Sequence, residues 1–337
     1  MSEILQTMLK DQPWILADGA TGTNLFEMGL EAGDAPELWN ETKPENIKNL
    51  YRQSVEAGSD LFLTNSFGSN TTRLNLHNAG HRAFELSKLA AEIGRSVADS
   101  FKRPVVVAGS VGPTGEILQP VGTFSRSEAT EVIHEQAEGL KAGGADVLWL
   151  ETMSSSEEFM AAVDAFSKVD LPWCGTMSFD TAGRTMMGIT SKKLVSLVRN
   201  LNNPPLAFGA NCGTGASDIL RTLQSFTAQN PLIPLISKGN AGIPKYVNGC
   251  IYYDGTPDLM ATYAVMARDS GARIIGGCCG TMPQHIKKMR KALENRLPAP
   301  MPTFDEIQAI LGTFSSIEDG TAPAMNRPKR TSRRRRM

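Results

Sequence analysis

Three of the cysteines in this chain stand in two glycine-flanked clusters, Gly209-Ala210-Asn211-Cys212-Gly213 and Gly276-Gly277-Cys278-Cys279-Gly280-Thr281. Each cluster follows an apolar run that reads as a buried strand, so the thiols fall where a strand gives way to a loop. Three thiolates with no fourth protein ligand nearby suit a catalytic zinc, whose remaining tetrahedral position is left for a substrate. A soft thiolate set also favours zinc or copper(I) over magnesium or calcium. A buried lone cysteine more often behaves as a small hydrophobe, and Cys174 and Cys250 take that reading. The adjacent pair Cys278-Cys279 does not fit it well. Neighbouring strand residues point to opposite faces, and only a distorted backbone, of the kind glycine permits, aims both at one point. A structural disulfide is disfavoured, because five cysteines with no regular spacing and no secretory leader indicate a reducing compartment.

The elements that must position these thiols alternate along the chain. Apolar runs at residues 14–17, 61–64, 105–109, 147–150, 173–177, 206–209, 233–236 and 273–275 are candidate strands, separated by amphipathic helical patterns. Such alternation implies right-handed βαβ units and a parallel sheet. The number and spacing of the units match an α/β fold of the (β/α)8 TIM barrel type, with a doubly wound open sheet as competitor. A recurring signal favours the barrel: Gly58, Gly143-Gly144 and Gly271 each end a helical pattern and lead straight into the next strand. The organisation expected is a single barrel domain over 1–297. A C-terminal extension, 298–337, opens with a proline-rich run and holds one short helix at 304–311 and a disordered basic tail.

At 337 residues, 41% hydrophobic and 20% charged, the chain can bury a large core. Residues 1–11 read as polar, and no stretch approaches the length of a membrane span, so a cytoplasmic protein without membrane association is expected. The net charge of -1 conceals seven basic residues among the last eleven, Arg327, Lys329, Arg330 and Arg333–Arg336. That tail reads as solvated rather than as a nucleic-acid contact, having no interleaved aromatics.

In a barrel the active site lies at the C-terminal ends of the strands. The unusual residues collect there: Asp18-Gly19-Ala20-Thr21-Gly22-Thr23, Thr64-Asn65-Ser66-Phe67-Gly68-Ser69-Asn70, Glu151-Thr152, both cysteine clusters, and Lys238-Gly239-Asn240-Ala241-Gly242. Either Asp18 or Glu151 alone is as well explained as a helix cap. Together the motifs resemble the homocysteine S-methyltransferase family, which includes the homocysteine-binding module of methionine synthase, betaine–homocysteine methyltransferases and S-methylmethionine-using enzymes. The resemblance covers roughly residues 14–296. It implies a zinc-dependent (β/α)8 barrel, with Cys212, Cys278 and Cys279 as zinc ligands and catalytic residues acting through the metal. It also implies Asp18 and Glu151 at the amino group of homocysteine, and the backbone of Gly19, Ala20, Thr21 and Gly22 at its carboxylate, a role suited to a glycine-rich loop that opens a helix.

The chemistry fits that resemblance. An alkyl thiol with a pKa of about 8.5 is only a few per cent ionised at neutral pH, and a bound metal deprotonates it outright. No protein base is then required, and the four histidines, His77, His81, His134 and His285, read as surface residues. The methyl donor is less sharply marked. A quaternary ammonium is held by aromatic faces and carboxylates, and the aromatic candidates are Trp39, Phe67, Tyr246, Tyr252 and Tyr253; Ser66 and Asn240 complete the substrate-site set. Animal betaine enzymes carry tyrosines where this chain has Gly68 and Thr152, yet its length and aromatic supply resemble bacterial betaine enzymes. Glycine betaine is therefore the first donor expected, ahead of a sulfonium such as S-methylmethionine or a methyl-corrinoid or methylfolate system on partner chains. A non-enzymatic zinc protein, a nucleic-acid binder and a homo-oligomer are the other possibilities carried forward.

Overall fold

The structure, a computed structural model, describes residues 3–317 and 320, other than 181, 244, 248 and 249. Its strands are β1 (Ile15–Leu16), β2 (Leu61–Leu63), β3 (Val106–Val111), β4 (Val147–Met153), β5 (Trp173–Met177), β6 (Ala207–Cys212), β7 (Leu235–Gly239), a hairpin of β8 (Lys245–Val247) and β9 (Cys250–Tyr252), and β10 (Ala272–Gly277). Eight of them form one parallel sheet in the order β1-β10-β7-β6-β5-β4-β3-β2. The sheet closes on itself through the parallel bridge Ala17–Leu61 and the hydrogen bond from Asp60 N to Leu16 O, 2.7 Å. It is a (β/α)8 TIM barrel. The amphipathic patterns between the strands form helices, and several of their starts are written in the sequence. Ser125 and Glu128 form a reciprocal capping box, while Ser155, Thr190 and Thr256 each accept from the third backbone amide of their helices. Gly58, Gly144 and Gly271 take positive φ at the helix ends, as their recurrence predicts.

Strand periodicity sorts the side chains into two cores. Ile15, Leu61, Val106, Val147, Trp149 and Ile274 point inward and fill the barrel. Trp173 and Phe208 point outward beneath the helices, where Phe159 and Phe166 pack around Trp173 at 5.9 and 5.8 Å. Cys174 lies wholly buried in the inner core, and burial pushes its thiol up from the ordinary range, as befits a small hydrophobe. The side chains of Cys250 and Tyr246 lie outside the described residues.

Two elements depart from expectation. Residues 1–11 read as a polar lead-in, but Ile4–Asp11 is a helix, and its Leu5 and Met8 plug the inner core at the end where the strands begin. Arg273 Nη2 fastens it by donating to Gln12 O at 2.7 Å and to Leu9 O. The β8–β9 hairpin between β7 and the following helix is likewise unanticipated. In the extension, Phe304–Leu311 is helical as expected and packs on its own barrel, burying Ile307 and Leu311 in the outer core. The basic tail lies outside the described residues.

Candidate metal and substrate site

Cys212 is the last residue of β6, and Cys278 and Cys279 directly follow β10, two strands away. The backbone at both places is irregular. Cys212 sits at φ 57, a left-handed conformation that a non-glycine residue seldom adopts. After β10 the chain turns sharply, with Thr281 N donating to Cys278 O at 3.0 Å, and the Thr281 side chain fills the space that a Cβ on Gly277 would need. Cys278 N donates to Gly239 O at 2.8 Å, and Cys279 O accepts from Ala241 N at 2.9 Å, so the end of β7 fixes the pair. Both thiols thereby converge on the third.

The three sulfurs lie within 4.8 Å of one another, and among the described residues they are the group of Cys, His, Asp or Glu side chains able to hold a metal ion. Cys212 Sγ is 2.9 Å from Cys278 Sγ and 3.8 Å from Cys279 Sγ. Tetrahedral zinc with Zn–S bonds of about 2.3 Å sets sulfurs about 3.8 Å apart. The Cys212–Cys279 edge already has that length, and the Cys212–Cys278 edge needs a shift of under about an ångström. Crowding also splits the thiol acidities. Cys279 is lowered to about 3 by hydrogen bonds from Cys212 and Cys278, with Tyr253 adding another. Cys212 is pushed well up by its bonds to Cys278 and Cys279 and by burial. A divalent cation removes this competition by favouring all three thiolates.

A cavity of about 450 Å³ opens from the cluster, walled by Gly19, Ala20, Thr21, Gly22, Phe67, Glu151, Thr152 and Lys238 as well as the cysteines. Glu151 and Thr152 sit in an irregularity of β4, where its register with β5 slips between Leu150 and Met153 and Thr152 takes φ 64. Burial pushes the Glu151 carboxyl up to about 7 against the pull of Lys238, while Ser110 Oγ donates to it at 2.5 Å. Asp18 stands one layer behind the wall. Its Oδ2 accepts from Leu63 N at 2.8 Å, and its Oδ1 pairs with Lys238 Nζ at 2.5 Å, both side chains being almost fully buried. The ammonium of Lys238 survives burial because Asp18 and Glu151 flank it, and its pKa is raised.

Several expected site residues lie elsewhere. Trp39 is a core side chain among Leu25, Ile47 and Leu50, with Lys43 Nζ 3.9 Å above its ring. Ser66 is fully buried and spends its hydroxyl on Ser110 O at 2.8 Å and on Thr64 Oγ1. Asn240 is off the cavity wall and braces the Cys212 turn by donating to Gly213 O at 2.9 Å. Tyr252 is exposed on the hairpin, whereas Tyr253 reaches Cys279. One histidine corrects the surface reading: His285 is buried between Met282 N, which donates to its Nδ1, and Gly255 O, which its Nε2 meets. His134 is half-buried, while His77 and His81 are exposed as expected, His77 on the cavity rim.

Lys238 and Asn211 stand in the strand-end motifs quoted above, where sequence reasoning gives them no role in the site. Asn211 Oδ1 accepts from Thr152 N at 2.9 Å and Thr176 Oγ1 at 2.7 Å, while its Nδ2 donates to Thr152 Oγ1 at 2.7 Å and faces Cys278 Sγ at 3.7 Å. It thus ties the Glu151 bulge to the sulfur cluster. Its position beside Cys212 was the available signal. Lys238 offered one too, as a charged residue inside an otherwise apolar strand.

A TIM barrel with three thiols converging beside an open cavity at its strand ends defines a thiolate-metal barrel. The family model for homocysteine S-methyltransferases matches residues 15–293, and the chain belongs to that family, which is zinc-dependent. It is 29% identical over 308 residues to the methionine synthase of Mycobacterium leprae and 30% identical over 297 residues to that of Mycobacterium tuberculosis. These alignments cover 87% and 83% of this chain, which spans about a quarter of the length of either relative, 25% in both cases. The metallated form of the homocysteine methyltransferase MmuM from Escherichia coli superposes with a TM-score of 0.71 at 22% identity, covering 85% of this chain and 99% of that one. Among the described residues no helix is long and apolar enough to cross a membrane.

Proposed function

We propose that the protein transfers a methyl group to the sulfur of homocysteine, giving methionine, with Cys212, Cys278 and Cys279 holding the zinc. The observation that carries this reading is the convergence of three sulfurs on a cavity that also holds a carboxyl, Glu151, and an ammonium, Lys238. Bound zinc supplies acidity, turning the homocysteine thiol into a thiolate at neutral pH. The rest falls to the protein. Glu151 receives the substrate ammonium, Asp18 acts from behind through Lys238, and the Gly19–Gly22 backbone receives the carboxylate. Asn211 keeps the Glu151 bulge and the cysteines in one register. The substrate sulfur attacks the donor methyl carbon in line. A carbon–sulfur bond forms, and the bond from methyl to the donor's onium atom breaks, its electron pair leaving with that atom as a neutral amine or sulfide.

Glycine betaine is the donor placed first, leaving as dimethylglycine. Phe67 offers it an aromatic face on the cavity wall, with Glu37 beside it, although Trp39 no longer contributes. A sulfonium such as S-methylmethionine fits the same wall. The similarity to methionine synthases, of which this chain spans a quarter, favours a second reading in which a methyl-corrinoid or methylfolate system on another chain is the donor. We assign residues 1–297 to the barrel and 298–337 to the extension. The test is methionine formation by zinc-loaded protein from homocysteine with each donor separately; no product from any of them refutes the proposal.

A further inference from the structure

The outer half of the cavity is not explained by the homocysteine end. Beyond Phe67 its wall carries Glu37, Arg73 and His77. Arg73 differs from the other arginines on the neighbouring helices. Arg82 pairs with Glu41 and Glu85, Arg95 with Asp99 and Asp146, and Arg126 with Asp164. Among the described residues Arg73 forms no ion pair, and its guanidinium carbon lies 5.8 Å from the centroid of the Phe67 ring. Its backbone amide is fixed by Asn70 Oδ1 at 3.0 Å, so the side chain starts from a defined point.

Gly68 makes room for this arrangement. A Cβ there would stand 2.9 Å from Glu37 Oε1 and 3.2 Å from Arg73 Nε, so any side chain would push both charged groups aside. Glu37 is itself anchored, its Oε1 accepting from Gly68 N at 2.7 Å. The corner therefore sets a buried carboxyl, Glu37, whose pKa burial pushes up against the pull of nearby Arg73, beside a guanidinium without an ion pair among the described residues, next to a single aromatic face. A guanidinium presents a planar fork that matches a carboxylate in two parallel hydrogen bonds.

We propose that Arg73 receives a carboxylate of the methyl donor, which makes the donor an onium carboxylate: a cationic methyl-bearing centre turned toward the cysteines and an anionic end turned toward the mouth. The inference rests on the methyl-transfer reading and narrows its donor class. A donor with the same onium centre but no carboxylate leaves Arg73 unmatched, and a site built for a charged partner rejects analogues that lack it.

Equilibrium binding tests this apart from turnover. The full chain, loaded with zinc and homocysteine, is titrated calorimetrically with glycine betaine, dimethylsulfoniopropionate and S-methylmethionine, and with the carboxylate-free choline and trimethylsulfonium. Wild type should bind at least one of the first three at least ten-fold more tightly than the carboxylate-free pair. Arg73→Gln should erase that preference without changing homocysteine affinity, and Arg73→Lys should restore part of it. Equal binding of both sets by wild type, an unchanged preference in Arg73→Gln, or a matching loss of homocysteine affinity overturns the Arg73 assignment. Methionine formation in the same samples reports separately on methyl transfer. Turnover without the carboxylate preference refutes the subsite alone, whereas donor binding without turnover refutes methyl transfer from an onium donor and leaves the subsite standing.

Discussion

The two ends of this barrel use charge in opposite ways. Where the strands begin, acids are matched to partners. Asp60 accepts from Leu16 N at 2.9 Å and pairs with Arg290, and Asp146 accepts from Val107 N at 2.8 Å and pairs with Arg95. Where the strands end, Lys238 is shared between Asp18 and a Glu151 held near 7, three thiols crowd together, and Cys212 and Thr152 sit at positive φ. One sheet thus separates stability from chemistry: the first end minimises free energy, while the second holds groups in states they would not choose.

Substitutions at the plugged end should spare the chemistry, whereas those at the strand ends should cost it, with a loss of stability as well where a buried pair is broken. The largest effect is expected from Cys278→Ala, which should lose bound zinc and reduce methionine formation by about a thousand-fold or more, a loss typical of removing an essential catalytic group. Metal content by plasma mass spectrometry checks it, and retained zinc stoichiometry would refute the ligand assignment. Next, Lys238→Met leaves Asp18 and Glu151 without their buried counter-ion and should cost about 3–5 kcal/mol in urea unfolding, with activity falling as well. Leu5→Ala, at the plugged end, should cost about 2–4 kcal/mol while zinc content and saturated turnover stay at wild-type levels; a loss of metal would dissolve the contrast between the ends.

Smaller still is the pH effect of Glu151. Only its carboxylate attracts the homocysteine ammonium, and with a pKa raised to about 7 that form is depleted as pH falls. For the native protein kcat/KM for homocysteine should therefore decline below pH 7, and in Glu151→Gln that acid limb should vanish as the plateau drops about ten-fold. Deleting residues 327–337 should change neither turnover nor unfolding, and lost activity in such a variant would reopen the nucleic-acid reading of the tail.

The barrel was legible because its signals are local: apolar strand runs, capping residues, and glycines recurring at helix ends. The metal cluster was legible for a related reason, since glycine beside Cys212 and Cys278-Cys279 advertises bent backbone. Contacts made at long range were not. Lys238 meets Asp18 across 220 residues, a pairing that exists only because β1 and β7 both flank β10. Trp39 misled because an aromatic residue between strands carries no mark of which way it faces. The plug and hairpin were different, being overlooked rather than hidden. Ile4, Leu5, Met8 and Leu9 have helical spacing, and Asn248-Gly249 stands between two apolar runs.

Barrel closure between β1 and β10 also has a consequence in time. Cys212 and Cys278 are 66 residues apart, so a ribosome adding about 5–20 residues per second makes the second available roughly 3–13 s after the first. The final strand supplies two of the three thiols and completes the cylinder in the same act. During synthesis, then, the nascent chain holds at most one of these cysteines until the first seven barrel strands have been made, so the three-thiol cluster cannot be the seed around which the barrel forms.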